Sequence, residues 1–295
     1  MTMVRMLACA LAFIAGAATA ADKPVVAVVN YPLAYFAERL GGDAIEVLFP
    51  VPPDRDPAFW RPSLADIAAI QKADLIALNG AGYAAWTTKA SLPRSRIVDT
   101  SAPFSDRFIA TETITHSHGA EGQHSHEGIA SHTWLDFSLA AIQAETLAAA
   151  MSRRMPDLAD DIEAAKAALL ADLAALHTAA LEASEALRGA PIIATHPRYQ
   201  YFARAYGLDI HSLEWEAGEA PSDKQWDQLK ALANETGARI LIWEADPPAD
   251  VRERAAALGF RDFVLPTLAS WPAEGDFLSA MRADLMRLAS IGSAD

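Results

Sequence analysis

The chain has 295 residues, 52% of them hydrophobic, and 24 Lys and Arg against 38 Asp and Glu give a formal net charge of −14. This length and apolar content indicate a globular protein with room for two ordinary domains. The acidity argues against nucleic acid or an anionic membrane surface as partner and weakly favours a cationic ligand.

Residues 1–20, MTMVRMLACALAFIAGAATA, read as a secretory signal. Arg5 supplies the positive start, an apolar run follows, and Ala18-Thr19-Ala20 fits an A-x-A cleavage site before Ala21. The run is short for a membrane span of ~20 residues. A lipoprotein signal would need a cysteine just after the cleavage site, whereas the only cysteine, Cys9, lies inside the run. The expected mature protein therefore has no cysteine. Losing Arg5 leaves 23 basic residues against 38 acidic ones, a net charge of −15. Such a protein needs no disulfide, and any metal must be held by His, Asp, Glu or water.

From residue 23 short apolar runs alternate with helical stretches. Strands are predicted at 23–30 (KPVVAVVN), at 44–49 (AIEVLF), at 74–79 (DLIALN) after the amphipathic 63–72, and at 96–99 (RIVD). A polar stretch, THSHGAEGQHSHEGIASHTWLD, follows and packs five of the eight histidines into residues 115–136. The second half repeats the rhythm at 191–195 (PIIAT), 209–213 (DIHSL), 239–244 (RILIWE) and 262–265 (DFVL). Strands alternating with helices read as βαβ units with parallel sheets, and two such sets suggest two lobes. Between them 138–154 is Ala-rich and helical, and 157–188 runs without Gly or Pro to Gly189. Acids crowd its first turns, and Gly189 is a plausible stop. About 30 residues make a rod on the order of 45 Å, long enough to span two lobes and hold them nearly fixed. His177, inside the rod, reads as a helix-surface histidine. The expected class is α/β. A signal at 1–20 precedes an N-terminal βα lobe at 21–137 that includes a His-rich loop at 115–131. A helical tract at 138–189 then leads to a C-terminal βα lobe at 190–295, each lobe having roughly four parallel strands.

In open parallel sheets, ligands gather beyond the carboxyl ends of the strands. That rule collects Asp56 after the second strand, His132 after the fourth, His196 after the first strand of the second lobe, and Glu244 at the end of its third. Two imidazoles with one or two carboxylates suit zinc and can suit manganese. Each residue also has a plainer reading: Asp56, before Pro57, as a turn residue, Glu244 as a helix cap or an Arg partner, and either histidine as a hydrogen-bonded structural residue. The other four histidines, His116, His118, His124 and His126, form two H-S-H pairs in a polar stretch without apolar periodicity. They read as an auxiliary collecting arm for metal, weaker than a preformed cleft because ordering a loop costs entropy.

Several segments together resemble a known family. VVAVVNYPLAYFAERLGGDAIEV is similar to an opening strand and helix, and RPSLADIAAIQKADLIALNGAGYAAW to a stretch of R-P-S, A-D-L and N-G followed by an aromatic. SHTWLD matches an H-x-W-L-D signature, and THPRYQYFARAYGLDI matches H-x-x-[FY]-x-Y-F with Y-G-L following. The resemblance, over essentially all of 23–290, is to the zinc/manganese solute-binding proteins of bacterial ABC importers. It implies two βα lobes, a rigid linking helix, and metal held in the cleft between the lobes for delivery to a permease in the inner membrane. It further implies a periplasmic monomer, with Zn2+ ahead of Mn2+ as cargo and His132 and His196 as ligands. Two departures stand out. Asp56 occupies the place of a first-lobe histidine, as D-P-A-F-W-R-P-S. Leu265-Pro266-Thr267-Leu268 stands where relatives carry a last-strand aspartate, a gap that Glu244 could fill directly or through water. A His- and acid-rich loop before H-x-W-L-D is frequent in zinc-preferring relatives. Two other readings remain open. One is a periplasmic chaperone or sensor serving another protein. The other is a zinc hydrolase with Glu244 as general base, against which no H-E-x-x-H, G-x-S-x-G or P-loop is present.

Overall fold

The computed structural model describes residues 23–53, 55–117 and 123–292, with side chains for all of these except 112–117 and 123–127. The signal at 1–20 and His118 lie outside the described residues. Two four-stranded parallel sheets form the frame. The first contains β1 (Val25–Val28), β2 (Glu46–Leu48), β3 (Leu75–Leu78) and β4 (Ile97–Asp99) in the order β2-β1-β3-β4. The second contains β7 (Pro191–Ala194), β8 (Asp209–Ser212), β9 (Ile240–Trp243) and β10 (Arg261–Val264) in the order β10-β9-β7-β8. Counted from its own first strand, each sheet is wound second-first-third-fourth, so the repeated rhythm of the sequence is a repeated topology. All eight strands fall inside the predicted runs or within one residue of them. Their β-branched and aliphatic side chains are buried most fully in the central strands, where helices or loops cover both faces.

Helix starts follow local chemistry. Asn30 caps α1 (Tyr31–Gly41), its side chain accepting the Leu33 N–H at 3.2 Å, with Pro32 in the first turn. The serine of R-P-S, Ser63, closes a capping box with Asp66 at the start of α2 (Leu64–Lys72). The aspartate of H-x-W-L-D, Asp136, caps α3 (Phe137–Arg154) by accepting the Ser138 and Leu139 N–H groups at 3.0 and 3.4 Å. These family-like motif residues therefore build helix ends.

The long helix α4 (Ala159–Glu185) extends about 40 Å at 1.5 Å per residue. Ile162, Leu169, Leu173, Leu176 and Ala180 are completely buried on it, and their spacing of three, four or seven residues makes one seam. The seam packs against α1, α3 and α8 (Phe277–Gly292) and belongs to one continuous core that includes residues of both sheets. His177 is half-buried there, its ring 5.5 Å from that of Tyr206 and its Nδ1 3.3 Å from the Tyr206 hydroxyl. The lobes are also joined directly. The Tyr31 N–H donates to the Ala269 carbonyl at 2.9 Å, and the Trp134 indole N–H donates to the Thr267 carbonyl at 2.7 Å.

One expectation changes. The stretch containing the H-S-H pairs, read as an unstructured loop, is an antiparallel hairpin of β5 (Ala110–Ser117) and β6 (Gln123–Ile129). His116 stands opposite His124, and Ile114 opposite His126, with an irregularity in register between Thr111 and Ile114. The Thr-Glu-Thr-Ile-Thr run, mostly β-branched, explains a strand where low apolar content suggested none.

Candidate metal-binding site

In a sheet wound second-first-third-fourth, the chain departs in opposite directions beyond its first and third strands, and a crevice opens at that switch point. In the second lobe the residues there are His196, two positions after β7, and Glu244, directly after β9. In the first lobe the matching positions carry Asn30 and Asn79, both completely or almost completely buried. Asn79 accepts from Asn30 Nδ2 at 3.1 Å and from Gln143 Nε2 at 3.2 Å, and its own amide donates to the Ser131 carbonyl at 2.9 Å. Thr133 donates to Gln143 Oε1 at 3.2 Å, and Gln143 also donates to Thr100 at 3.0 Å. This satisfied polar network fixes the backbone on both sides of His132. A buried network of this kind specifies one arrangement, because each broken bond would strand a partner away from water.

His132 is 3% exposed. Its ring lies against Trp134 at 4.7 Å and edge-on to Tyr83 at 5.8 Å, with Ser131 Oγ 3.5 Å from Nδ1. Burial holds its pKa well below the ordinary histidine value, and the positive charges of Arg198 and His196 add to the effect. The imidazole is therefore neutral at physiological pH, the state in which it can donate a lone pair to a cation. Tyr83 reaches this place through a turn in which Gly80, Ala81, Gly82 and Ala84 all have positive φ. A Cβ on Gly80 would fall 1.9 Å from Ser101 Oγ, so glycine is required there.

His196 donates from Nδ1 to the Trp215 carbonyl at 2.7 Å, which leaves the lone pair of the neutral ring at Nε2. Glu244 Oε2 is 4.0 Å from Nδ1, too far for a hydrogen bond, so the carbonyl orients the ring. The aromatic residues of the same motif serve the frame. The Tyr199 hydroxyl donates to the Leu265 carbonyl at 2.6 Å, and the Tyr206 hydroxyl accepts the Phe137 N–H at 3.0 Å.

Asp56 and Glu244 face the same cleft as His196, a space of about 710 Å³ whose wall also includes Arg198, Pro266, Leu268, Trp271 and Asp284. Both carboxylates meet Arg198. Its Nη2 donates to Asp56 Oδ2 at 2.7 Å, and its Nε lies 3.5 Å from Glu244 Oε1. The other oxygen of Asp56 accepts the Ala58 N–H at 2.8 Å, so Asp56 is a turn residue as well as a cleft residue. Burial raises the Glu244 pKa and the Arg198 charge lowers it, the first effect being the larger. Among the described residues, no three His, Asp or Glu side chains stand close enough together to hold an ion at once. The structure thus brings Asp56, His196 and Glu244 to one wall, with the carboxylates turned toward a guanidinium, and buries His132 against Trp134 and Tyr83 rather than on that wall. His116, His124 and His126 lie on the hairpin.

A family model described as the periplasmic zinc-uptake complex component A matches residues 26–291. The chain belongs to this family. The high-affinity zinc uptake system protein of Bacillus subtilis strain 168 is 25% identical over 262 residues, covering 84% of this chain and 79% of that protein. A crystal structure of a zinc-uptake component A protein is 27% identical, with a TM-score of 0.72 over 92% of this chain and all of the other. Zn(II)-bound AdcA from Streptococcus pneumoniae shares the fold, with a TM-score of 0.77 at 20% identity over 92% of this chain and 58% of the other.

Four residues of the cleft wall and of the packing around His132 were not singled out from the sequence. Arg198 sits inside the matched motif, and its charge in T-H-P-R-Y was the available signal. Asn79 and Tyr83 belong to the N-G-A-G-Y stretch, where consecutive glycines marked a demanding turn. Asp284, 2% exposed on α8, gave no signal beyond lying in an amphipathic helix. At the gap in the last strand, Leu268 takes a left-handed φ of 53°, an uncommon choice for a leucine that turns the chain along the cleft wall.

Proposed function

We propose that this chain is the exported receptor of an ABC-type metal importer, taking up Zn2+ in the inter-lobe cleft and delivering it to an inner-membrane permease. His132 and His196 are the principal ligands. Asp56 and Glu244 are the carboxylates that complete the coordination when they turn from Arg198, with water filling any remaining position. The observation that supports the reading most is the state of two buried imidazoles, one neutral by burial and the other oriented through Nδ1 by a backbone carbonyl. Nitrogen donors favour zinc over manganese, which stands near the weak end of the divalent series at such sites. The leader at 1–20 directs the protein to the periplasm, with cleavage near Ala20. His116, His118, His124 and His126 form an auxiliary arm that collects zinc for the cleft, and the register of the hairpin, with His116 opposite His124, supports that role.

Calorimetric zinc titration of the wild-type protein and of His132→Ala and His196→Ala tests the assignment. Each variant should lose the tight binding event, at least a hundredfold in affinity, while keeping its unfolding transition. Full affinity in either variant would overturn the cleft assignment.

A further inference from the structure

Arg198 follows His196 by two residues, across Pro197, in the turn between β7 and α5 (Gln200–Tyr206). Its N–H donates to the His196 carbonyl at 3.0 Å, so the guanidinium and the imidazole leave one short, constrained turn. The residue is 8% exposed. The guanidinium donates to Asp56 of the first lobe at 2.7 Å, its Nε lies 3.5 Å from Glu244 of the second in an ion pair without a hydrogen bond, and its centre is 5.3 Å from that of the Phe59 ring. Arginine does not surrender its proton in proteins, and its planar fork suits two acceptors at once. The cleft that is to take a cation therefore already contains one, covalently tethered beside a proposed ligand. The three charged groups sum to −1, where the two carboxylates alone would present −2.

We propose that Arg198 is a specificity-determining residue that competes with the incoming metal for Asp56 and Glu244, lowering the affinity of the cleft and confining it to cations that imidazole binds well. Zinc gains enough from two neutral nitrogens to bind while the carboxylates are shared. Manganese depends on oxygen donors and meets Asp56 hydrogen-bonded and Glu244 ion-paired to the guanidinium. The guanidinium also repels any divalent ion near His196, and less strongly once a carboxylate stands between them. The idea rests on the cleft reading above, and its tests separate the two.

Arg198→Gln removes the charge and keeps a polar side chain. In titrations with zinc alone and manganese alone, read by calorimetry and by the metal-induced shift in unfolding temperature, the variant should bind zinc at least tenfold more tightly than wild type. Manganese, weak or undetected with wild type, should become readily measurable. The gain should shrink in Arg198→Gln/Glu244→Gln and disappear when Asp56 is replaced by Asn as well. If Arg198→Gln fails to fold, Arg198→Lys decides the matter, because a single ammonium cannot fork between both acceptors and should release one, giving a zinc gain of at least threefold. Unchanged or weaker zinc and manganese binding in a folded variant overturns the proposal while leaving the zinc reading of the wild-type protein intact. Zinc binding by Arg198→Gln but not by wild type upholds the competition and overturns zinc as the natural cargo. Binding by neither overturns both.

Discussion

At Asp284 a single side chain connects the cleft wall to the stability of the whole lobe. The carboxyl is buried on α8, and burial raises its pKa from 3.8 to about 6 against the opposing pull of its partner Arg287. Folded protein thus holds this proton more tightly than unfolded chain. Its contribution is fully present below about pH 4 and is lost as pH rises through 6, an effect of up to about 3 kcal/mol. Asp284→Asn removes the titration. Urea unfolding of wild type and variant should show the variant gaining relative stability between pH 4 and pH 7. A difference that stays constant over that range would contradict the assignment. Other residues divide into those legible from sequence and those hidden from it. His132 and His196 were singled out because strand ends in parallel sheets collect ligands and both stand in recognisable motifs; His196 does follow a sheet strand by two residues, whereas His132 follows the hairpin. The plainer readings of Asp56 as a turn residue and Glu244 as an Arg partner describe their setting, but which arginine would meet them was hidden. Whether a carboxylate faces an ion or a guanidinium depends on which side chain arrives from 142 residues away, as Arg198 does for Asp56, and no local pattern encodes that.

Among elements, the hairpin of β5 and β6 is the clearest departure from the sequence reading. Parallel strands buried on both faces appear as short aliphatic runs, and all eight were found that way. A polar hairpin has no such run, and the histidines and glycines of 115–128 masked the β-branched alternation before them. The second sheet presents His196 and Glu244 at its strand ends, and the hairpin carries His116, His124 and His126. Deleting 115–127 should therefore reduce the number of zinc ions bound per protein and leave the tightest binding event within about threefold. Calorimetric stoichiometry on the deletion variant checks this, and loss of the tight event would make the hairpin the primary site. The long helix stops at Glu185, short of the expected Gly189, while other helices start on local capping chemistry. Ser63, Asp66 and Asp136 cap helices with the residue types expected at those positions. That α4 would share one core with both lobes was legible only as a length.

On the scale of the whole molecule, the two sheets share one winding, and the switch point of the second opens on the cleft through His196 and Glu244. The long seam of α4, the Trp134 bond to Thr267 and the Tyr31 bond to Ala269 tie the lobes so that this space has a defined shape. An acidic protein with a cleft of this kind attracts cations, and Arg198 moderates what the cleft can keep. The central claim is that zinc is held between the lobes by one imidazole from each. X-ray absorption at the zinc edge tests it most directly, on protein loaded with a single equivalent and lacking the hairpin histidines. Two imidazole nitrogens at about 2.0–2.1 Å are expected, one lost in His132→Ala and the other in His196→Ala, with oxygen completing the coordination. A spectrum without imidazole scattering, or one that neither substitution alters, would contradict it.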